Sequence, residues 1–503
     1  MTASRGAAAS RTGASSGSAT TVPEVARKRG GFVRAVGLLP AIAINMTQMV
    51  GIGPFITIPL VVAAMGGPQA VIGWVAGAVL ALADGLVWSE LGASMPGAGG
   101  SYIYLREAFQ YRTGRLMPFL FVWTAVLFIP LIMSTGVIGL VQYLGFLAPH
   151  MSYFEVHGIS IAVVLIIVVG LYRRIESIKV ISVVLWCVML ATIGLVTIAA
   201  FSHFSSHLAF TYPAGAFSIG HGFFVGLGAA LVLTIYDYLG YDTTAYMADE
   251  LRNPSRTMPR SIILSILAVM LLYLALEVGV LGAVPWQHIV KSSSVASLVV
   301  QGSWGRGAAD VVTVLIVVTA FASVFTGLLG GSRVPYNAAH DGVFFGSFGK
   351  LHPRYRFPHV ALLVMALITI IASFFTLSSV INMLTAVIVI VQAVAQIAAL
   401  TVLRRRQPDL PRPYRQWLYP LPSLLALGGW IYVYGSAGAT SIILSCAWLG
   451  AGVIAYLIWA RVERVWPFGP KRIWEAYREI AGLTVGESNG PPAGETAAPR
   501  EAG

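Results

Sequence analysis

Charged residues are scarce in this chain of 503 residues. Asp, Glu, Lys and Arg together make up 10% of the sequence, whereas hydrophobic residues make up 57%. A soluble domain has about 25% charged residues, which cover its surface. The shortage of charge therefore argues against a soluble protein. The mean hydropathy of +0.79 instead indicates a protein that crosses a membrane several times.

Cysteine is nearly absent as well. Cys187 and Cys446 both lie inside apolar blocks, so neither a disulfide framework nor a cysteine metal cluster is available. The 9 histidines are scattered without metal-binding spacing, and no HExxH motif occurs. The sequence therefore predicts no metal site, no cofactor and no enzymatic activity.

The net charge of +12 would suit a protein that binds nucleic acid, but the placement of the charges argues otherwise. Lys and Arg occur in short clusters between apolar blocks rather than in one basic patch. This pattern is typical of membrane topology. It predicts membrane lipids, and no nucleic acid, as partners.

The apolar blocks are roughly 20 residues or longer, which is the length that a helix needs to cross about 30 Å of hydrocarbon. They do not alternate every second residue, as the strands of an outer-membrane barrel would. The sequence therefore predicts an all-α polytopic membrane protein with about twelve transmembrane helices. The predicted spans are 35–65, 68–95, 116–146, 156–172, 178–201, 220–249, 259–284, 307–332, 358–378, 381–403, 418–436 and 440–461.

With twelve spans, both termini face the same side of the membrane. All 32 Lys and Arg residues except Lys291 and Arg306 then fall on that side. Because positive loops are retained in the cytoplasm, we predict a multi-pass protein of the cytoplasmic membrane with both termini cytoplasmic.

Two of the predicted spans contain interruptions. Span 1 has Gly51, Gly53 and Pro54 near its middle, and span 6 has Gly240 between Asp237 and Asp242 in YDYLGYD. If spans 1–5 and 6–10 form two repeats, the interruptions occupy corresponding positions. Paired broken helices in matching positions indicate a transporter site at the membrane midplane. For span 1 alone, a kinked helix packed against its neighbours is the alternative.

Four motifs follow one another across spans 1 to 10: GIGPFITIP, ELGASMPGAGGSYIYLREAF, GYDTTAYMADELRNPSRTMPRSI and SRVPYNAAHDGVFF. Together they resemble the amino acid permeases of the amino acid, polyamine and organocation transporter superfamily. The resemblance implies a LeuT-like five-plus-five inverted repeat with two extra C-terminal helices. It also implies a secondary active transporter that moves amino acids or related amines by alternating access.

We accordingly divide the chain into four segments. A disordered cytoplasmic tail comprises residues 1–33, and a core of ten helices in two inverted repeats comprises residues 34–403. Helices 11 and 12 lie in residues 404–466, and a cytoplasmic C-terminal tail comprises residues 467–503.

The resemblance also implies a substrate site between the two interruptions. The N–H groups around Gly51, Ile52 and Gly53 would receive a substrate carboxylate. Carbonyl groups near Tyr238, Leu239 and Gly240 would receive its amino group. This is physically reasonable, because a broken helix end supplies unpaired backbone groups without a formal charge.

Two departures from the family pattern leave a second substrate class open. Ile52 has no hydroxyl group and Pro54 has no N–H group, so recognition of a carboxylate is weaker than the family pattern implies. Asp237 and the cavity-adjacent Asp242 would pair well with an ammonium group. A polyamine or other cationic amine is therefore the alternative substrate. Tyr236 and Trp123 are candidate cavity walls, with ordinary helix packing as their alternative role.

The coupling ion, H⁺ or Na⁺, is open as well. Many relatives have a lysine in span 5 about twelve residues after a Glu-Ser pair, but here the count falls near Cys187. Ser323 and Thr326 in span 8 are candidate Na⁺ ligands, unless their hydroxyl groups bond to their own helix. Asp84 and Glu277 are candidate proton relays, unless each only hydrogen-bonds to a neighbouring helix.

Two other classes of membrane protein are weaker alternatives. An ion channel would more naturally have a repeated pore loop or an arginine ladder, and neither occurs in the sequence. A sensor that does not transport would be expected to have a signalling domain, and neither tail resembles one. Uniport, symport and exchange all remain open.

Overall fold

The computed structural model describes residues 36–97, 99–171, 178–353 and 357–469. Within these ranges the regular structure is helical, apart from an isolated bridge between Val36 and Leu251. The helices, numbered in chain order, are α1 (Leu38–Val50), α2 (Gly53–Met65), α3 (Val71–Ser94), α4 (Ser101–Thr113), α5 (Leu116–Leu147), α6 (Tyr153–Leu171), α7 (Ile178–Ser202), α8 (Ser206–Phe210), α9 (His221–Tyr238), α10 (Thr243–Tyr246), α11 (Pro254–Ala283), α12 (Trp286–Ile289), α13 (Val295–Trp304), α14 (Arg306–Gly331), α15 (Arg333–His340), α16 (His359–Ala372), α17 (Leu377–Ile388), α18 (Ala395–Arg406), α19 (Leu421–Ser436) and α20 (Ala439–Val462).

The all-α, multi-spanning prediction is confirmed. A helix or helix pair covers most of each predicted span: spans 1 to 5 correspond to α1–α2, α3, α5, α6 and α7, and spans 6 to 10 to α9–α10, α11, α14, α16 and α17–α18. Spans 11 and 12 correspond to α19 and α20. In the described ranges, 8 helices are long and apolar enough to cross a membrane, or 9 with the bent pair α1–α2. The count of twelve stays a prediction. The tail at 1–33 and the end from residue 470 onward lie outside the described residues.

Span 1 is interrupted where glycine and proline predicted it. Helix α1 ends at Val50, α2 begins at Gly53, and the two axes are bent by 50°. Pro54 lies at the second position of α2, where a missing N–H group costs no helical hydrogen bond. Gly51 and Ile52, which lie between the two helices, therefore have backbone groups without hydrogen-bond partners inside a helix.

Span 6 is interrupted between Tyr238 and Thr243. Gly240 has φ +113°, which favours glycine, and it packs against the end of α1. A Cβ atom at residue 240 would lie 2.7 Å from Cβ of Gln48 and 3.0 Å from its carbonyl carbon. Glycine therefore allows the two interrupted spans to approach each other closely.

The spans form two packed groups. In the first, α3 packs along α11, and α1 and α9 join this pair. In the second, α5 packs along α14, and α6 and α16 join them. Spans 5 and 10 contact both groups through α7 and α17. The first group contains spans 1, 2, 6 and 7, and the second contains spans 3, 4, 8 and 9, the pairing expected of two five-helix repeats.

Candidate functional site

A cavity of about 250 Å³ lies between the interruptions of spans 1 and 6. It is bordered by α5, α14 and the middle of span 10. Of the predicted substrate-binding residues, the cavity is lined by Gly51, Ile52, Gly53, Tyr236, Asp237, Leu239, Gly240 and Asp242. The side of the cavity opposite these polar backbone segments is apolar, with Phe128, Ile132, Met133, Val324 and Ile388.

The interruption of span 1 offers donors to the cavity. The N–H groups of Gly51 and Ile52 donate to no acceptor in the part of the chain that the structure describes. They lie at the start of α2, the end of that helix where the backbone dipole is positive. This segment can therefore bind an anionic group.

The interruption of span 6 offers acceptors. The carbonyl groups of Tyr238 and Leu239 accept no hydrogen bond from the described residues. Their partial negative charge suits an ammonium group. The two interruptions thus offer groups of opposite polarity beside the same cavity.

Tyr273 of α11 connects the two interruptions. Its hydroxyl group lies 2.7 Å from the carbonyl oxygen of Met49 and 3.0 Å from that of Asp237. One hydroxyl proton is thus shared between a carbonyl group at the end of each broken helix. The sequence reasoning missed Tyr273, although a tyrosine one helical turn from Glu277 in an apolar span was a usable signal.

Asp237 is fully buried, and its two oxygen atoms have different surroundings. Oδ2 accepts a hydrogen bond of 2.5 Å from the hydroxyl group of Thr57. Oδ1 has no partner among the described residues and lies against Gly53, where any Cβ atom would collide with it. A carboxyl group therefore lies beside the first turn of α2, at the cavity wall.

Asp242 lies at the other side of the span 6 interruption. Its Oδ2 accepts a hydrogen bond of 3.2 Å from Gln392 Nε2, and both residues line the cavity. Gln392 belongs to a π-helical turn, Val389–Val394, and its Oε1 has no described partner. Such turns are frequent at functional sites. Gln392 was also missed, although it is an isolated amide within an apolar span.

Tyr236 closes the cavity on one side. Its hydroxyl group is 2.6 Å from Thr135 Oγ1 of α5, so spans 3 and 6 are joined there. Tyr238, by contrast, is fully buried and its hydroxyl group donates to the carbonyl oxygen of Trp74 at 3.4 Å. Only the carbonyl group of Tyr238 belongs to the interruption.

Trp123 lies outside the lining of this cavity. Its ring stacks on Trp448 at 4.8 Å, and its Nε1 donates to the carbonyl oxygen of Trp448 at 2.9 Å. It also packs on Gly452 of α20. The structure therefore gives Trp123 a packing role between spans 3 and 12, the alternative named for it above.

The candidate Na⁺ ligands border a second, smaller cavity of about 30 Å³ behind the span 1 interruption. Ser323 and Thr326 line it with Thr47 and Gly51. The Thr326 hydroxyl group donates to carbonyl oxygens of its own helix, at 2.9 Å for Ala322 and 3.1 Å for Ser323. Its lone pairs remain available, and the volume suits one small ion or water molecule.

The two candidate proton relays differ in their surroundings. Asp84 Oδ2 accepts hydrogen bonds from Tyr241 at 2.5 Å and Trp88 at 3.1 Å, so it joins span 2 to span 6. Glu277 is fully buried, and neither of its carboxyl oxygens has a hydrogen-bond partner among the described residues. No group of three or more His, Cys, Asp or Glu residues suited to a metal ion occurs within the described ranges.

The sequence matches the model of a family described as amino acid permease over residues 36–472. It is 26% identical to the branched-chain amino acid permease BcaP of Bacillus subtilis, over 85% of this chain and 93% of the relative. It is 26% identical to the serine/threonine exchanger SteT of Bacillus subtilis, over 83% of this chain and 93% of the relative. The mouse Asc-type amino acid transporter 1 is 28% identical, over 78% of this chain and 74% of the relative. Because the family match covers most of the sequence, this chain belongs to the amino acid permease family.

Proposed function

We propose that this protein is a secondary transporter that moves a neutral α-amino acid across the cytoplasmic membrane by alternating access. The observation that supports this most directly is the polarity of the cavity. The free N–H groups of Gly51 and Ile52 and the free carbonyl group of Leu239 belong to residues that border the same cavity, and the free carbonyl group of Tyr238 directly precedes Leu239. An α-amino acid has a carboxylate and an ammonium group that match these two ends.

The lining of the cavity favours a neutral side chain on the substrate. Phe128, Ile132 and Val324 supply an apolar surface for it, and no Lys or Arg lines the cavity. An acidic side chain would therefore lack a partner. The names of the relatives refer to amino acids, which does not favour the polyamine alternative.

We propose that Asp242 and Gln392 assist at the ammonium end of the site. Asp242 supplies a carboxylate there, and the unpaired Oε1 of Gln392 supplies a neutral acceptor. Both lie close to the free carbonyl groups of the span 6 interruption. A buried ammonium group needs several such acceptors, because each replaces a hydrogen bond to water.

The cavity extends toward one side of the membrane. From the interruptions it reaches Gly331 and Val334 at the end of span 8, on the side where the described chain begins. At the other side, Tyr143 donates to the carbonyl oxygen of Phe55 at 3.0 Å and accepts from the N–H group of Ala296 at 3.3 Å. With cytoplasmic termini, this conformation faces the cytoplasm. We take residues 34–403 as the transporting core, with spans 11 and 12 outside it.

The function is tested by exchange in proteoliposomes. Purified protein is loaded with unlabelled amino acid, and entry of radiolabelled L-leucine, L-valine, L-serine, L-threonine, L-lysine and putrescine is measured separately. We expect saturable exchange of at least one neutral amino acid. Exchange of putrescine alone would instead support the polyamine alternative, and folded protein that exchanges none of the amino acids would contradict the proposal.

Gly53→Ala is the matched site variant for this experiment. The added Cβ atom would collide with Asp237 Oδ1 and displace the wall of the site, so exchange should be lost. Gly450→Ala, in α20, is the control, because a Cβ atom there meets nothing within 4 Å. Equal exchange by the two variants would place the site elsewhere.

A further inference from the structure

Asp237 is the buried carboxyl group closest to the proposed substrate carboxylate. Its Oδ1 is unpaired among the described residues and lies against Gly53, and the residue borders the cavity. Gly53 directly follows Gly51 and Ile52, whose free N–H groups form the anion end of the site. Two negative carboxylates side by side in a buried site would repel each other strongly. Asp237 and a bound amino acid carboxylate therefore need either a cation between them or a proton on one of them.

The protein supplies no such cation from its described residues. Helix α2 contributes the neutral hydroxyl group of Thr57, and α11 contributes Tyr273 and the second buried carboxyl group, Glu277. The titratable neighbours in α9 itself are Tyr236 and Tyr238. No Lys or Arg in the described ranges forms an ion pair with Asp237. A negative charge on Asp237 is therefore unbalanced unless the transport cycle supplies a positive one.

We propose that Asp237 carries the coupling proton of transport, an inference that rests on the proposed amino acid transport. A proton from water on the outer side forms an O–H bond at Oδ1 as the substrate binds. The neutral carboxylic acid then lies beside the substrate carboxylate without repulsion. When the substrate leaves through the inner cavity, the O–H bond breaks and the proton passes to water there.

The position of Asp237 separates this role from that of an ammonium anchor. Oδ1 lies at the N–H end of the site, beside Gly53, whereas the ammonium group belongs at the carbonyl end beside Leu239 and Asp242. A zwitterionic substrate moving with one proton carries net positive charge inward. Uptake should consequently respond both to an acid exterior and to a membrane potential that is negative inside.

The test separates exchange from gradient-driven accumulation in proteoliposomes, with radiolabelled L-leucine and L-serine as probes. With equal pH inside and outside, wild-type protein should exchange internal for external substrate. When the exterior is acidified, it should accumulate the radiolabelled substrate against its concentration gradient. Asp237→Asn should keep exchange and lose accumulation, because the amide cannot take up the proton. Asp310→Asn, an exposed aspartate paired with Arg306, is the control and should keep both.

Three outcomes with variants would overturn the proposal. The first is Asp237→Asn protein that still accumulates substrate, and the second is Asp237→Asn protein that no longer binds it, as expected of an ammonium anchor. The third is loss of accumulation in Asp84→Asn or Glu277→Gln while Asp237→Asn keeps it. Wild-type protein that exchanges substrate but does not accumulate it when the exterior is acidified would also overturn the proposal and leave the proposed function intact. Absence of wild-type exchange would instead contradict the proposed function itself.

A measurement on unaltered protein covers the case in which Asp237→Asn does not fold. Wild-type protein in weakly buffered detergent solution is mixed with L-leucine and a pH indicator. Binding should remove up to about one proton from solution for each leucine bound at any pH at which Asp237 is charged in the free protein, and the affinity for leucine should fall as the pH is raised through that range. Leucine binding that takes up no proton and keeps a constant affinity over the whole pH range in which the protein stays folded would overturn the proposal.

Discussion

The hydrogen bond from Thr57 to Asp237 joins residues 180 positions apart and fixes α2 against α9. Both side chains are fully buried, so the carboxyl group has no water to replace the hydroxyl donor. The bond holds Oδ2 in place, while Oδ1 lies unpaired against Gly53. At this scale the site therefore depends on a residue, Thr57, that does not line the cavity itself.

Thr57→Val should destabilise the protein by about 1–3 kcal/mol, because it leaves a buried acceptor without its donor while keeping the shape of the side chain. Thermal denaturation of purified protein in detergent measures the change. Thr385→Val is the control, since the buried Thr385 hydroxyl group has no described partner and its loss should cost less than about 0.5 kcal/mol. Equal effects of the two variants would mean that the Thr57 bond does not contribute.

At the scale of helices, Glu90 holds the end of α3 against the end of span 10. Its carboxylate accepts from Arg404 Nε at 2.8 Å and from the N–H group of Gln416 at 2.6 Å, and Arg412 Nε lies at 3.5 Å. Burial lowers the pKa of the Arg412 guanidinium group, and the charge of Glu90 opposes this shift. Two segments that are distant in sequence, the end of α3 and residues 404–416, thus meet at one buried charge.

Glu90→Gln should cost about 3–5 kcal/mol, because it leaves two guanidinium groups facing each other without a counter-charge. The control is Glu107→Gln, whose ion pair with Arg106 is partly exposed, with side-chain exposures of 32% and 37%. An exposed pair contributes about 0–1 kcal/mol and is weakened by salt. Thermal denaturation of both variants at low and high salt distinguishes the two cases. A Glu90→Gln protein as stable as Glu107→Gln would contradict this account.

At the scale of the whole molecule, the two helix groups enclose the cavity between the interruptions, and we propose that it opens to the cytoplasmic side. Because the chain has just 2 cysteines, Cys187 and Cys446, a cysteine-free background needs only two serine substitutions. Such a background allows the accessible side to be mapped with one introduced cysteine at a time. Val334 at the cavity and Ser293 in the loop between spans 7 and 8 lie on opposite sides in the proposed topology.

A membrane-impermeant maleimide should label Val334→Cys in inside-out vesicles and Ser293→Cys in right-side-out vesicles. Adding the transported amino acid should slow labelling of Val334→Cys, because the substrate shifts the protein toward conformations in which the cavity is occupied or closed. Labelling of Ser293→Cys should not change and serves as the control. Reversed sidedness would contradict cytoplasmic termini, and labelling of both from one side would contradict the span assignment.

The predicted helices and their interruptions agree with the structure because their causes are local. Hydrophobic blocks of spanning length predicted the long apolar helices, and Gly51, Gly53, Pro54 and Gly240 predicted where two of the spans break. The same local patterns suggested Trp123 as a cavity wall. An aromatic residue in an apolar span, however, gives no sign of which neighbour it faces. That residue packs on Trp448, 325 positions later.

The sequence by itself determined the membrane class, the helical segments and the two discontinuities, because hydropathy and backbone preference act over a few neighbouring residues. The tertiary structure decided which side chains meet at them. Only the packing of α11 brings Tyr273 to both broken ends, and only that of span 10 brings Gln392 to Asp242. These contacts join helices far apart in the chain, so they depend on how whole spans pack, which no local pattern specifies.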